Sequence, residues 1–382
     1  MQNARIEISL DGVTWSAVPT DKVDGKRVRW DVPKTTAKTA RFRAVSGSLV
    51  SAEVVLAIVG TQASSYSWSR QVADAGWVWR DGAALESLNG TLHLLGGWNP
   101  YAFTDDPTAE NYMTTNEVWT SRDGKSWALG GTAPWEARHT FGHLQLGGRL
   151  YVLGGDALHS HYQPDVWSTA DGKSWNLETE RAPWGDRVLH CAMAHAGAMW
   201  VMGGQTMPEL VSEVVQPTTF YNDVWRSTDG KTWTRVLEHA PWSARGAIDA
   251  NAVFMGAMWM LGGGTYDQPP ALRKTYSDAW SSVDGVTWTQ HAAPPWPARE
   301  YHAITVFDGR MWVLGGYDPA TDTDLDDVWY TADGENWYQQ PNVTWPPRHA
   351  PAVTVTSSGL WITAGDAGDT AVYVLAKEPA VE

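Results

Sequence analysis

The fold is decided by residues 294–337, which read PPWPAREYHAITVFDGRMWVLGGYDPATDTDLDDVWYTADGENW. The stretch begins with a Pro-Trp-x-x-Arg turn and an apolar segment, and a short turn then leads to Met-Trp-Val-Leu-Gly-Gly. A loop follows to Asp-Asp-Val-Trp, and the stretch ends at Asp-Gly-x-x-Trp. Short apolar runs separated by Gly, Pro and Asp turns are typical of β-strands. The stretch therefore predicts four short strands in succession.

The same pattern recurs along most of the chain. Each copy has an arginine with a tryptophan three residues before it, and the arginines are Arg80, Arg138, Arg187, Arg245, Arg299 and Arg348. A glycine pair begins 16 residues after the arginine in four copies and 17 residues after Arg245, and it has become Ala364-Gly365 in the last copy. Six copies of four strands predict an all-β repeat protein.

The last copy lacks a closing Asp-Gly-x-x-Trp segment. Five copies end on that segment, whereas the chain stops soon after Tyr373, and Trp68 stands at the closing spacing before Arg80. We therefore expect residues 65–71 to form the outermost strand of the sixth sheet. Pairing the first strand with the last three removes a long exposed edge. The prediction is a six-bladed β-propeller of four-stranded blades.

The repeated text resembles the Kelch repeat, which has a double glycine after an apolar strand, then a spaced aromatic pair, in units of about fifty residues. The resemblance covers roughly residues 65–376 and implies a propeller. It leaves function open, because such propellers serve as enzymes, scaffolds and receptor binders. The Ser-x-Asp-Gly-x-x-Trp segments are also similar to the Asp-box turn of sialidases, without the residue that motif places between Asp and Gly.

Tryptophan usage agrees with this architecture. Of 25 tryptophans, 21 occupy four positions of the repeat when Trp68 is counted as a closing residue. A residue that every blade repeats is read most simply as packing between neighbouring sheets. The same reasoning favours a structural role for the six arginines, with a ligand clamp as the alternative.

Composition restricts the partners. The 382 residues carry a net charge of −15, which argues against nucleic-acid backbones and anionic membrane surfaces. The single cysteine, Cys191, allows no intrachain disulfide and is read as a buried small residue. No signal peptide follows Met1, and no apolar run is long enough to be inserted in a membrane.

The first 60 residues form a different unit. Alternating apolar residues and an Asp11-Gly12 turn predict short strands, and the combination of residues 9–15, 30–33 and 41–43 resembles part of a bacterial immunoglobulin-like or fibronectin-like module. We expect a small β-sandwich-like domain over 1–60, a linker over 61–64, the propeller over 65–376 and a tail over 377–382. Because the early strands of such a module are missing, an open edge is expected that docks onto another subunit or onto the propeller.

Loop lengths predict where function lies. In a four-stranded blade, the connection between the second and third strands emerges on the same face as the connection to the next blade. This loop face carries nearly all the length variation and is rich in aromatic and acidic residues. The candidate ligand-binding residues are Trp98, Tyr101, Arg138, His139, Asp156, His159, His161, Tyr162, Arg187, His190, Tyr221, Asp249, Tyr266, Arg299, His302 and Tyr317.

Two groups of side chains have the chemistry of metal ligands. The His159-x-His161 pair near Asp156 has ligands suited to zinc, and the acidic run Asp318, Asp322, Asp324 and Asp326 has oxygens suited to calcium. Neither has the ligand spacing of a known site, so the sequence predicts no metal and no cofactor.

Two classes of function remain. A non-enzymatic recognition module would bind a cell-surface glycan or protein receptor through the loop face and use the N-terminal domain as an anchor, as an extracellular adhesin or a virion tail protein does. A carbohydrate-active enzyme of the mutarotase, sialidase or lyase kind would use the same face, but no catalytic residue set is recognisable. A structural spacer in a larger assembly is a further alternative. The recognition module is preferred.

Overall fold

The structure, a computed structural model, describes residues 5–11, 13–18, 23–24, 27–28, 39–46, 49–51, 54–57, 66–99, 114–156, 161–206, 218–266 and 273–378. Within these residues the protein contains β-strands and no α-helices, so the all-β class is confirmed. The described part of the chain accordingly has no helix that could cross a membrane. The chain divides into two compact units, Met1–Gln62 and Ala63–Glu382.

The first unit is built on one antiparallel sheet. Its strands are β1 (Arg5–Ser9), β2 (Ser16–Ala17), β3 (Val23–Asp24), β4 (Arg27–Val28), β5 (Thr39–Ser46), β6 (Leu49–Val50) and β7 (Val54–Ala57). The sheet order is β2-β1-β5-β6, with β7 also pairing with β5, and β3 and β4 form a separate hairpin. The sequence predicts a small β-sandwich-like domain here, and the described strands form one main sheet and one separate hairpin.

The turn between β1 and β2 has the same hydrogen bonds as a turn of the second unit. Ser9 Oγ donates to Asp11 Oδ1 at 3.0 Å, and the same oxygen accepts the backbone N–H groups of Val13 and Thr14. In the second unit, Asp123 accepts hydrogen bonds from Ser121 and from two backbone N–H groups in the same way. The Ser-x-Asp-Gly-x-x-Trp text therefore specifies a turn in both units.

The described residues of the second unit form six four-stranded antiparallel sheets. The strands are β8 (Tyr66–Val72); β9 (Ala84–Leu88), β10 (Thr91–Leu95), β11 (Glu117–Ser121), β12 (Ala128–Thr132); β13 (Gly142–Leu146), β14 (Arg149–Leu153), β15 (Val166–Thr169), β16 (Trp175–Thr179); β17 (Cys191–His195), β18 (Ala198–Met202), β19 (Val224–Ser227), β20 (Thr234–Leu237); β21 (Asn251–Phe254), β22 (Ala257–Leu261), β23 (Ala279–Ser282), β24 (Thr289–His291); β25 (Ala303–Phe307), β26 (Arg310–Leu314), β27 (Tyr317–Asp318), β28 (Thr323–Asp324), β29 (Val328–Thr331), β30 (Trp337–Gln339); and β31 (Ala352–Thr356), β32 (Gly359–Thr363), β33 (Val372–Lys377).

The sheets follow one another along the chain. Sheets one to four are β9–β12, β13–β16, β17–β20 and β21–β24, the fifth is β25-β26-β29-β30, and β27 and β28 form a hairpin in its loop. The sixth is β31-β32-β33-β8, in which β8 pairs antiparallel with β33 and Trp68 lies opposite Leu375. The residues expected to supply an outer strand, 65–71, thus correspond to β8.

Neighbouring sheets meet through their first strands. β13 contacts β17, β17 contacts β21, β21 contacts β25, β25 contacts β31, and β31 contacts β9, which in turn contacts β14. Among the second strands, β18 and β32 are buried along their whole length, and β10, β14, β22 and β26 are buried except at their first residue. The arrangement of the six sheets is therefore propeller-like, with the apolar core between the sheets.

The repeated residues form one hydrogen-bond unit in each sheet. In the second sheet, Arg138 donates to the carbonyl of Gly154 at 2.9 Å and to both carboxylate oxygens of Asp165, which also accepts the indole N–H of Trp167 at 2.8 Å. The first glycine of the pair has φ of +65°, a conformation that glycine adopts at low cost. The motif Arg, Gly-Gly, Asp-x-Trp is therefore explained by a single network.

The turn tryptophan and the closing tryptophan of a repeat pack edge to face. The turn residue Trp184 meets the closing residue Trp233 with ring centroids 6.0 Å apart and planes at 87°. The equivalent pair in the fifth sheet, Trp296 and Trp337, is 4.6 Å apart at 88°. Such contacts add to the burial of large apolar surfaces, so the tryptophans at these positions stabilise the sheets.

Candidate functional site

The candidate site lies where the repeat loses its symmetry. The residue after each buried arginine pairs through the backbone with the residue that follows the glycine pair. The six pairs, in sheet order, are Asp81 and Trp98, His139 and Asp156, Val188 and Gln205, Gly246 and Gly264, Glu300 and Tyr317, and His349 and Asp366. The backbone pairing is the same in all six sheets, whereas the side chains at these positions differ. The common fold therefore does not explain which side chains occur there.

One half of this face is acidic and contains two histidines. Asp81 is 6% exposed, and His139 Nδ1 lies 2.9 Å from Asp156 Oδ1. Burial raises the pKa of Asp81 to about 6, although the charges of His349 and His139 act in the opposite direction. Burial alone would lower the pKa of His139, but Asp156 and Asp81 raise it. Carboxylates and imidazoles thus share one partly desolvated region.

His349 connects this region to two further aspartates. Its Nδ1 lies 2.8 Å from Asp324 Oδ1, and its Nε2 lies 3.9 Å from Asp81 Oδ2 and 4.0 Å from Asp366 Oδ2. Burial would lower the pKa of His349, but these three carboxylates raise it. Burial and the charge of Asp324 raise the pKa of Asp366, while His349 lowers it.

An aromatic and charged cluster adjoins His349. Arg273 Nη2 donates to Glu300 Oε2 at 2.7 Å, and its guanidinium lies 5.4 Å from the ring centre of Tyr317 and 5.5 Å from that of Tyr266. Burial raises the pKa of Glu300, and the Arg273 charge counteracts this. These side chains present ring faces beside a carboxylate.

The other half of the face is apolar. Val188, Leu189 and Ile248 form a buried cluster, against which the partly buried rings of Tyr162, Tyr266 and Tyr301 pack. A small pocket between Leu189, Ile248, Tyr266 and Tyr301 reaches the carboxylate of Glu300. Tyr301 is also 5.5 Å, ring to ring, from His349. The face therefore has an apolar half and an ionic half with Tyr301 and Glu300 at their border.

The arginines among the predicted ligand-binding residues are engaged inside the sheets. Arg138, Arg187 and Arg299 are at most 2% exposed and form ion pairs with Asp165, Asp223 and Asp327. A guanidinium that is buried and donates to a carboxylate and a carbonyl has no exposed surface to offer a ligand. We assign the three a structural role, which was the preferred interpretation of the repeat.

Two predicted histidines are also unsuited to ligand binding. His190 and His302 are 1% exposed, and burial lowers the pKa of each to about 3, so both are neutral at physiological pH. His302 Nε2 lies 3.0 Å from the carbonyl of Leu261, inside the sheets. Both imidazoles are therefore enclosed within the sheets and are not accessible to a ligand on the loop face.

The remaining predicted residues are distributed over the face. The ring of Trp98 lies 5.7 Å from that of His139, and Tyr221 is stacked beneath the Arg187 guanidinium at 4.1 Å. His161 is exposed and pairs with Glu136 at 3.0 Å. Tyr101 and His159 lie outside the described residues. The structure therefore brings together Tyr266, Tyr317 and, around the adjoining region, Trp98, His139 and Asp156.

Asp249 does not belong to the loop face. It lines a cavity of about 320 Å³ between the first strands of the sheets, where His143 Nε2 lies 3.1 Å from its Oδ1. His143 Nδ1 lies 2.7 Å from Glu86 Oε1, so the imidazole joins the first, second and fourth sheets. Burial would lower the pKa of His143, but the two carboxylates raise it to about 10.

Sequence reasoning missed Glu86, His143, Glu300, Tyr301 and Asp366. It named Asp324 only as part of an acidic run, and it did not place His349 beside Asp324. One signal was present for the cavity that Asp249 lines: the glycine pair of the fourth copy comes one residue late. The extra residue lies in the turn of residues 247–250, where Ala250 N–H donates to the carbonyl of Ala247 and Asp249 adopts φ of +53°. This turn is what places Asp249 against His143.

A larger cleft of about 550 Å³ is lined by Asn89, His93, Arg122 and Lys173. Its wall includes residues of the repeated Asp turns, such as Asp171, whose carboxylate holds backbone N–H groups. We therefore regard the loop face as the better candidate. No protein-family model matches the chain, and no curated protein matches it.

Proposed function

We propose that the second unit is a six-bladed β-propeller of the Kelch type, closed by β8, and that its loop face binds a carbohydrate without chemically altering it. The architecture is supported by the pairing of β8 with β33 and by the contact between β31 and β9. Further support comes from Gly124 in the closing turn of the first sheet. A Cβ there would lie 2.0 Å from Trp361 of the sixth sheet, so the two sheets pack closely.

The observation that carries the functional proposal is the break in symmetry at the six backbone pairs. Four of the pairs supply ionic or aromatic groups, and two supply Val188, Gln205 and glycines only. A scaffold that repeats its structural residues and varies the residues at one face is using that face for recognition. The repeated arginines form ion pairs inside the sheets, and the repeated tryptophans pack against one another, so neither set explains the loop face.

The chemistry of the face fits a sugar better than a flat protein surface. The faces of pyranose rings are apolar, whereas their edges carry hydroxyl groups that donate to carboxylates. At the border of the two halves, Tyr266, Tyr301 and Glu300 surround a pocket of about 10 Å³, which has room for one water molecule, so a sugar would lie over these side chains and not inside the pocket. Small-molecule sites combine an apolar lining with a few placed polar groups in this way.

The N-terminal unit serves in this proposal as an anchor to another subunit of an adhesin or tail assembly outside the cell. Val13, Leu49 and Val50 of this unit are 82%, 75% and 54% exposed. Aliphatic side chains with that exposure favour association with a partner. The net charge of −15 continues to argue against nucleic acid as that partner.

An enzyme on the same face is the second candidate, and one observation favours it. Asp81 has a pKa of about 6 and lies 3.9 Å from the His349 imidazole, so it is suited to donate a proton near neutral pH. Perturbed carboxyl groups in a cleft are typical of catalytic acids. A glycosidase also needs a partner carboxylate placed across the substrate, and the sequence offers no recognisable pair.

A glycan array combined with an assay of released reducing sugar tests both candidates. We expect binding to a defined set of glycans and no release from those glycans. Release that is abolished by Asp81→Asn would replace the proposal with the enzyme. Binding to cell-surface proteins stripped of glycans, with an empty array, would replace the carbohydrate with a protein receptor.

The variant for this test is Tyr301→Ala. Tyr301 has φ of +56°, and the equivalent position of the sixth sheet holds Ala350 with φ of +46°, so alanine is already compatible with the backbone there. We expect Tyr301→Ala to bind glycans at least about tenfold more weakly through loss of the ring, while Tyr301→Phe keeps most of the affinity.

A further inference from the structure

We propose that Asp324, His349 and Asp366 form a binding site for a divalent transition-metal ion on the loop face. The three residues come from three separate segments: the hairpin strand β28, the turn before β31, and the loop between β32 and β33. One potential ligand atom from each residue lies within 4.8 Å of the others. The proposal does not rest on carbohydrate binding, because the ion alone is its ligand.

The distances are suited to ion coordination. Bonds of about 2.0–2.2 Å hold the ligand atoms of one zinc ion roughly 3–4 Å apart. His349 Nε2 and Asp366 Oδ2 are 4.0 Å apart, too far for a hydrogen bond and close to the separation of two ligands on one ion. His349 Nδ1 and Asp324 Oδ1 are 2.8 Å apart. These two distances start from opposite edges of the imidazole, which binds a given ion through one nitrogen only. With one His349 nitrogen as the ligand, the three ligand atoms lie within 4.8 Å of one another, so the side chains move closer together when they bind the ion.

A third carboxylate, that of Asp81, faces the same cluster. The Asp81 side chain is 9% exposed, and Asp81 Oδ2 lies 3.9 Å from His349 Nε2. Among the described residues, no hydrogen bond to the Asp81 carboxylate is formed. A buried carboxylate without hydrogen bonds is costly, and a nearby cation offsets that cost. Three carboxylates face one imidazole here, so the cluster has an excess of negative charge that a divalent ion would balance.

The donor set selects the class of ion. Imidazole nitrogen binds zinc and related transition metals well, while calcium and magnesium prefer oxygen ligands alone. Three protein ligands leave positions open for water or for an incoming group. The bound ion would join the loops of the fifth and sixth sheets beside Tyr301 and Tyr317.

The test is a titration of the metal-free full-length protein with Zn²⁺, followed by calorimetry, and with Ca²⁺ in parallel. The variant His349→Val with Asp366→Gln copies the third sheet, in which the same backbone pair is Val188 and Gln205. The fold therefore already accommodates these side chains at this position. We expect one Zn²⁺ per chain, affinity reduced at least about tenfold in the variant, and weaker binding of Ca²⁺ than of Zn²⁺.

A matched control removes the same two residue types from the second sheet. His139→Val with Asp156→Gln loses a histidine and an aspartate at the equivalent backbone pair. We expect Zn²⁺ affinity to change less than about threefold in this control. Equal losses in the two variants, no Zn²⁺ binding by the wild type, or tighter binding of Ca²⁺ than Zn²⁺ would each overturn the proposal. An empty glycan array would leave these results unaffected.

Discussion

Trp68 meets Trp345 edge to face, with ring centroids 5.8 Å apart and planes at 83°. The turn and closing tryptophans of the other sheets meet in the same way, as Trp184 and Trp233 do at 6.0 Å and 87°. A residue close to the start of the second unit therefore occupies the closing position of its last sheet. Tyr66, on the same strand, donates to Asp308 and receives a hydrogen bond from Arg310 in the fifth sheet.

This contact predicts that Trp68→Ala destabilises the second unit strongly. Trp68 is 7% exposed, and truncation of a buried tryptophan costs about 3–5 kcal/mol. Urea unfolding followed by tryptophan fluorescence measures the loss. Trp233→Ala is the matched control, because Trp233 is 8% exposed at the equivalent position of the third sheet. A loss of under about 1 kcal/mol in Trp68→Ala, together with a loss of several kcal/mol in Trp233→Ala, would show that β8 does not stabilise the sixth sheet.

The arginine network predicts that lysine is a poor replacement for arginine. Arg187 donates to the carbonyl of Gly203 and to both oxygens of Asp223, a geometry that a lysine ammonium cannot reproduce. We expect Arg187→Lys to lower the free energy of unfolding by about 2–4 kcal/mol. Arg235→Lys serves as the control, since the exposed pair of Arg235 and Glu238 contributes little. Similar small effects in both variants would contradict the network.

The triad of Glu86, His143 and Asp249 predicts a pH dependence of stability. The folded-state pKa of His143 is about 10, above the unfolded value of about 6.5. The charged imidazole therefore contributes its full stability below about pH 6.5, and this contribution declines as pH rises towards 10. We expect His143→Gln to be less stable than wild type by about 3 kcal/mol at pH 6, with the difference shrinking towards pH 10.

Glu86→Gln provides a second readout of the triad. Removing one of the two carboxylates that hold His143 lowers its folded-state pKa and moves the decline in stability to lower pH. Denaturant unfolding at several pH values measures both variants. A stability difference between wild type and His143→Gln that stays constant from pH 6 to pH 10 is the outcome this account does not allow.

The single thiol is predicted to be unreactive in the folded protein. Cys191 is fully buried, its Sγ lies 3.2 Å from the carbonyl of Ala247, and burial, together with the Asp249 charge, raises its pKa. The thiolate is the reactive form. We expect no labelling by Ellman's reagent at pH 8 until denaturant is added, and one thiol per chain afterwards. Rapid labelling of native protein would show that the third sheet opens readily.

The repeated part of the fold could be predicted from the sequence because its residues act locally and recur. Arg138, Gly154 and Asp165 lie within 27 residues of one another and form one network, so their spacing carries the signal. Because that spacing occurs six times, the sequence alone predicts the four-strand unit. The pairing of β8 with β33 followed from one missing closing tryptophan.

The candidate site was less predictable because its residues come from different sheets. His143 contacts Asp249, which is 106 residues away, and Glu86, which is 57 residues away. Asp324 looked like part of an acidic run, but the backbone turns it towards His349, and Asp366 follows from another loop. The residues that break the repeat carry no periodic signal, so only the spatial arrangement reveals which of them meet.

The most direct test of the central claim compares two variants for stability and for glycan binding. Tyr301 belongs to the symmetry-breaking face, and Trp233 belongs to the repeated scaffold. We predict that Tyr301→Ala loses glycan binding at least about tenfold with little change in the unfolding midpoint, while Trp233→Ala loses about 3–5 kcal/mol of stability and, where still folded, binds like wild type. Unchanged glycan binding by a folded Tyr301→Ala would contradict the assignment of recognition to this face.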